Sequence, residues 1–242
     1  MTPQHTPARP AGHAIVPAGP SDIDTLSQLI ADAFHPLDVC RWLIPDTAAR
    51  LRIFPAYFRM HVEHALADGL VHTTPDRAAA ALWIPGTGPA APPDGYADQL
   101  AEVTGPWVER FRVFDVALDA HHLTGIQHHH LAILAVHRDR QGQGIGTALL
   151  EAHHAILDEL RIAAYLEASD KRTRQTYVRH GYDDYSGPIV LPGGQTADTG
   201  NDTQGQPPAV TFMYPMRRQP RPAGTGRRPA AGDAVTDERR SY

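Results

Sequence analysis

Apolar residues recur at intervals of three and four through residues 23–34, where Ile23, Leu26, Leu29, Ile30 and Phe34 share one helical face. Ser21 stands where a helix cap is expected, acids fill the first turn, and His35-Pro36 ends the segment. A second helix is expected from a cap at Asp46 to about Ala67. Its stripe is Leu51, Phe54, Phe58, Val62 and Leu66, and Pro55 predicts a kink or break in it. Short strands are expected at 14–16, 70–73 and 79–85, the last two flanking a Pro75-Asp76 turn. Tyr96 to about Leu123 reads as two helices divided at Gly105-Pro106. The strongest apolar run, Leu131 to Val136, reads as a central strand, and a helical pattern follows from about Gly144 to Arg161. The remainder reads as a strand at 163–168, a helix from Lys171 to His180 closed at Gly181, a strand from Asp184 to Leu191 and a closing strand at 210–216. Residues 1–12 and 217–242 lack periodicity and read as disordered tails, and the Gly/Thr/Asp-rich stretch 192–209 reads as a mobile loop. One domain, 13–216, is the economical division.

Between the central strand and its helix lies Gln141-Gly142-Gln143-Gly144-Ile145-Gly146-Thr147. Glycine permits turns that a Cβ forbids and lets backbone approach a ligand closely. The helix start that follows offers N–H groups without intrahelical partners and the positive end of the helix dipole. Such a strand–glycine turn–helix unit is an anion cradle suited to a phosphate or pyrophosphate. No Lys follows the glycines as a Walker loop demands, and Thr147 stands where a dinucleotide fingerprint needs its third Gly.

The pattern that does fit is Q/R-x-x-G-x-G/A, here Gln141-x-x-Gly144-x-Gly146. With its flanks, LAILAVHRDRQGQGIGTALL, it resembles the fourth strand, loop and following helix of the GCN5-related N-acetyltransferase (GNAT) family. The resemblance implies an α+β fold: a mixed, mostly antiparallel sheet flanked by helices. It also implies acetyl-CoA as co-substrate. The pyrophosphate would rest on the amides of 141–147, the pantetheine would pair with the backbone of Leu134, Ala135 and Val136, and a backbone N–H near Val136 would polarise the thioester.

A second stretch, YLEASDKRTRQTYVRHGY at 165–182, resembles the family's fifth strand and next helix. There a Tyr four residues before a Gly–aromatic pair, here Tyr177 before Gly181-Tyr182, often serves as general acid toward the departing thiolate. A phenol keeps its proton at neutral pH and can donate it. Many members carry an Asn at the position of Asp170, so cofactor binding is not extended to that residue. Glu167 would orient a cationic amine or accept its proton, or else form a strand-end salt bridge. The pieces AAALWIPGTG, AYLEAS and TYVRHGY, with the central motif, are similar in kind and order to pieces of puromycin N-acetyltransferases. That implies a small-molecule amine acceptor such as an antibiotic or secondary metabolite; a protein or peptide acceptor, or a non-catalytic acyl-CoA sensor, is the alternative.

Fifteen histidines include the runs His121-His122, His128-His129-His130 and His153-His154. Adjacent residues of a strand point to opposite faces, so no metal site is expected from a run. His128 or His130 is a candidate proton acceptor, since imidazole titrates near neutrality. His153 and His154 read as an ordinary solvated helix face. A net charge of −5 disfavours a nucleic-acid binder, and no apolar run is long enough to span a membrane. A lone cysteine, Cys40, and the lack of a secretory leader pattern lead to an expected cytoplasmic protein, monomer or homodimer.

Overall fold

The computed structural model describes residues 13–191 and 211–222, so the expected loop at 192–209 and most of both expected tails lie outside the described residues. The strands are β1 (Val16–Pro17), β2 (Leu70–Thr73), β3 (Ala79–Gly86), β4 (His128–Val136), β5 (Ala163–Ala168), β6 (Asp183–Asp184), β7 (Ile189–Leu191) and β8 (Thr211–Arg218). Among them run α1 (Ile23–Phe34), α2 (Asp38–Leu43), α3 (Thr47–Asp68), α4 (Tyr96–Thr104), α5 (Val108–His121), α6 (Ile145–Leu160) and α7 (Lys171–Arg179). The sheet order is β1-β2-β3-β4-β5-β8-β6, with β7 paired to β8. Every pairing is antiparallel except β4 with β5. This is the expected α+β arrangement of a mostly antiparallel sheet flanked by helices.

Alternation along β3 builds both layers. Ala80, Leu82 and Ile84 face the core under α1, α2 and α3, while Ala79, Ala81 and Trp83 face the core under α6. The first core is centred on Phe54, Tyr57 and Phe58 of α3, where Phe58 meets each of the other two rings edge to face, and Phe111 of α5 packs on Tyr57 at 4.7 Å.

Several local expectations shift. Ser21 is not the cap of α1: residues 20–22 form a 3-10 turn, and the Asp22 carboxylate accepts from Gly19 N–H (3.0 Å) and Arg77 (2.8 Å). Asp46 does cap α3, accepting from Ala49 N–H at 2.5 Å. That helix runs unbroken past Pro55, because the aromatic face on either side of it holds both halves against one core. Its buried stripe is Ile53, Phe54, Tyr57, Phe58, Val62 and Ala65, whereas Leu51 is exposed. The first strand is Val16–Pro17 instead of 14–16, and the expected strand 184–191 is two strands separated by Tyr185–Pro188. The last strand continues two residues past 216. Arg218 is buried there and forms a two-pronged ion pair with Asp158 of α6 at 2.7 and 2.8 Å.

Candidate active site

The site begins where β4 and β5 separate. The two strands pair only over His128–His130 with Ala163–Tyr165, and beyond that point they diverge. On its other edge β4 remains paired with β3, but the register steps between Leu82↔Ile133 and Trp83↔Leu131, so Ala132 is an extra residue. A bulge bends its strand and adds twist, which turns the second half of β4 away from β5. The backbone edge of Leu134, Ala135 and Val136 on the β5 side is therefore left without a strand partner, as the expected pantetheine path requires.

The cradle follows directly. Gly142 and Gly144 have φ of 75° and 84°, a region that L side chains rarely adopt, and Gly144 is the N-cap of α6. The amides of Ile145, Gly146 and Thr147 open that helix and point outward. Gly146 lies against Leu134 and Val136, tying the loop to the open strand edge. Side chains in the cradle mostly brace it. Gln141 Nε2 donates to Val136 O (3.1 Å), Gln143 Nε2 donates to Asp139 O (3.1 Å), and Thr147 Oγ1 pairs with His180 Nε2 (3.3 Å). The Gln141 amide is thus committed to the loop itself, which leaves the main-chain N–H groups at the start of α6 without intrahelical partners.

One cavity of about 1000 Å³ joins this cradle to the far side of the cleft. Tyr177 of α7 lines it, and burial followed by the charge of Asp170 pushes its phenol above its ordinary value, so it holds its proton at neutral pH. Asp170 itself is the N-cap of α7, accepting from Thr173 N–H at 2.7 Å, which accounts for the acid at that position. Cys40 also reaches the cavity wall, but burial pushes its thiol up to about 12, which leaves it un-ionised and a poor nucleophile.

At the other end of the cavity stands Glu167 of β5, whose side chain is 6% exposed. Its Oε2 meets Nε2 of His130 at 2.8 Å, and His122 Nδ1 lies 3.8 Å from its Oε1. Burial pushes the carboxyl up, but His130 and His122 more than offset that and hold it below the usual glutamate range. Glu167 is therefore a buried, ionised acceptor beside an imidazole, not the terminus of a salt bridge to Lys or Arg. His130 shares this end, while His128, fully buried, bonds instead to His122 and to the Ile126 carbonyl. Beyond them Asp115 and Asp119, one helical turn apart on α5, line the cavity with Phe34, Tyr57 and Tyr96. Burial pushes Asp115 up to about 6 despite a hydrogen bond from the Tyr96 hydroxyl (3.0 Å), and burial followed by the charge of Glu167 raises Asp119.

His122, Asp115 and Asp119 were not singled out from the sequence. An i, i+4 acidic pair on an amphipathic helix looks like a solvated face until that helix is seen to border a cavity. The opposite error concerns His153 and His154, which are buried, not solvated. His153 stacks on Trp83 (4.1 Å) and pairs with His129 Nδ1 (2.9 Å); His154 pairs with the Tyr182 hydroxyl (2.9 Å). Trp83 is core on the α6 side and no wall of the cavity.

Residues 111–184, which include β4, the cradle, β5 and α7, match the family model described as an acetyltransferase (GNAT) domain. Among curated proteins, none matches the sequence. Several solved structures share the fold. The Corynebacterium glutamicum protein described as histone acetyltransferase HPA2 and related acetyltransferase aligns at TM-score 0.57 and 20% identity, over 87% of this chain and 98% of its own. Arylalkylamine N-acetyltransferase 2 from Aedes aegypti aligns at 0.56 and 13%, over 86% and 99%. An agmatine N-acetyltransferase aligns at 0.52 and 14%, over 86% and 100%.

Proposed function

We propose that this chain, a member of the GNAT acetyltransferase family, is an acetyl-CoA-dependent N-acetyltransferase whose acceptor is a small-molecule primary amine carrying a second positive charge. The observation that carries the reading is the single cavity running from the glycine cradle, past the open edge of β4, to the Glu167–His130 pair. The residues present fit the co-substrate: positive-φ glycines, a helix start and an unpaired strand edge lie in series. Acetyl-CoA supplies an activated thioester, and the chain supplies position, proton acceptors and a proton donor.

The Glu167 carboxylate and the His130 imidazole draw the ammonium of the acceptor to the head of the cleft and take its proton. The free amine then attacks the thioester carbon directly, held there at high effective concentration. A backbone N–H near Val136 stabilises the oxyanion, and Tyr177, kept protonated by burial, is placed to protonate the leaving thiolate. Asp115 and Asp119 supply the finer specificity. Among the described residues neither makes an ion pair, and the partly buried Asp115 carboxylate is costly without a cation. A second positive group on the acceptor would relieve that cost. Aromatic walls from Phe34, Tyr57 and Tyr96 suit an apolar body between the two charges, as in an amine antibiotic or secondary metabolite.

The test is release of free thiol from acetyl-CoA against matched monoamines, diamines, aminonucleosides, aminoglycosides and N-terminal peptides, with calorimetric titration of acetyl-CoA alongside. Turnover greatest with dicationic small amines is expected. Turnover confined to peptides would replace the small-molecule acceptor. Tight cofactor binding without turnover across the panel would favour a sensor, and absence of cofactor binding would overturn the reading.

A further inference from the structure

The histidines around Glu167 form a chain whose proton positions can be worked out. His128 Nδ1 lies 2.9 Å from the Ile126 carbonyl, which can only accept, so that nitrogen carries a proton. In the neutral ring, a proton on Nδ1 makes its Nε2 an acceptor. His122 Nε2, 3.1 Å away, must then be the donor. In the neutral ring, a proton on Nε2 leaves His122 Nδ1 with a lone pair. That lone pair faces Glu167 Oε1 at 3.8 Å. Oε1 is buried and accepts no hydrogen bond among the described residues, and the Tyr165 hydroxyl beside it donates to the His121 carbonyl (3.1 Å). Two electron-rich atoms thus converge on one point, with the Tyr165 hydroxyl as the other polar group beside the carboxylate, and His130 Nε2 stands at the other carboxylate oxygen.

We propose that His122, His130 and Glu167 form a binding site for a divalent transition-metal ion of the zinc class, with its remaining coordination open to the cavity. One ligand atom from each residue lies within 4.8 Å of the others, and their burial ranges from near complete to partial. Ligands on a tetrahedral zinc stand roughly 3.3 Å apart, so small side-chain rotations close the set with His130 in its Nδ1–H tautomer. Two imidazoles, one carboxylate and an open position are a donor set zinc accepts. The outer layer is also present: the His122 tautomer is held by His128, itself anchored on backbone. The ligands come from the end of α5, from β4 and from β5, so no spacing motif announces them.

Metal and acceptor amine would use the same lone pairs, and this second half of the proposal rests on the reading of the cavity as an acetyltransferase site. Zinc is therefore expected to inhibit in competition with the amine. Binding itself is tested without catalysis. Full-length protein stripped with a chelator is titrated with Zn²⁺ by calorimetry and with Co²⁺ by visible absorption. The expected result is one tight ion per chain, a cobalt spectrum of four- or five-coordinate type, and at least a 100-fold loss of affinity in both His122→Ala and Glu167→Gln. His137→Ala, at a surface imidazole 45% exposed, should bind zinc as the parent does. Thermal unfolding checks that each variant is folded, and Glu167→Gln, which keeps the side-chain shape, covers the case in which His122→Ala is not. Zinc binding that is weak, or equally tight in Glu167→Gln and the parent, overturns the site. Failure of acetyl-CoA to bind would overturn the enzymatic reading while leaving the titration to decide the metal.

Discussion

At the scale of single residues, two groups at opposite ends of one cavity are held in opposite protonation states. Tyr177 is held protonated by burial and Glu167 is held ionised by its imidazole neighbours. Replacing Tyr177 with Phe removes the proposed proton donor but keeps the ring that packs on Tyr182 at 5.6 Å. kcat is expected to fall about 100-fold or more, within the usual range for general-acid loss, with acetyl-CoA affinity unchanged by calorimetry; unchanged kcat would remove the role. Glu167→Gln should lower kcat/KM for the amine and leave the cofactor half intact. Tyr177 and Glu167, which both line the cavity, could be singled out in the sequence because each sits at a fixed step from a strand or glycine landmark. His122 was not legible, since its partners lie 8 and 45 residues along the chain and only the fold brings them within reach.

At the scale of elements, the turn from β4 into α6 and the anchoring of β8 decide whether the site exists. Gly144 has φ of 84° with open space beside it, so Ala there meets backbone strain alone. Gly144→Ala is expected to cost about 1–2 kcal/mol and to lower Tm by a few degrees. Gly144→Glu adds a carboxylate where the proposed pyrophosphate site lies and should weaken acetyl-CoA binding severely, as calorimetry would show. The ion pair of Arg218 with Asp158 ties β8 to α6. Arg218 is 2% exposed, and Arg218→Ala would strand a partly buried carboxylate. A loss of about 3–5 kcal/mol is expected in denaturant unfolding. Periodicity located most helices and strands, but it ended the last strand at 216. An Arg-rich stretch reads as solvated until one guanidinium is paired inside the fold.

For the molecule as a whole, the buried imidazoles dictate the response to acid. His153 and His154 are held neutral, each with its pKa lowered to about 3, chiefly by burial. In the unfolded chain they titrate near 6.5, so below that pH the unfolded state binds more protons and stability falls as pH falls. Each contributes a loss of up to about 1.4 kcal/mol per pH unit below 6.5, continuing toward the folded value. Tm measured from pH 7.5 to 4 should therefore be nearly level at first and drop steeply below about pH 6. His154→Asn, which keeps a polar group beside Tyr182, should flatten that drop. A flat profile in the parent would mean that these rings are not buried neutral.

Local chemistry along the chain determined the strand–glycine turn–helix unit, the fold class it belongs to and the singling out of Tyr177 and Glu167 as candidates. These depend on neighbours a few residues apart: the period of apolar side chains, the freedom of glycine, the free amides at a helix start. Tertiary structure decided which faces are inside. It placed α5 along a cavity and so made Asp115 and Asp119 lining groups, buried His153 and His154 against Trp83 and Tyr182, and drew His122, His130 and Glu167 to one point. Burial and charge proximity are properties of distance in space, and a buried imidazole and a solvated one are written with the same letter.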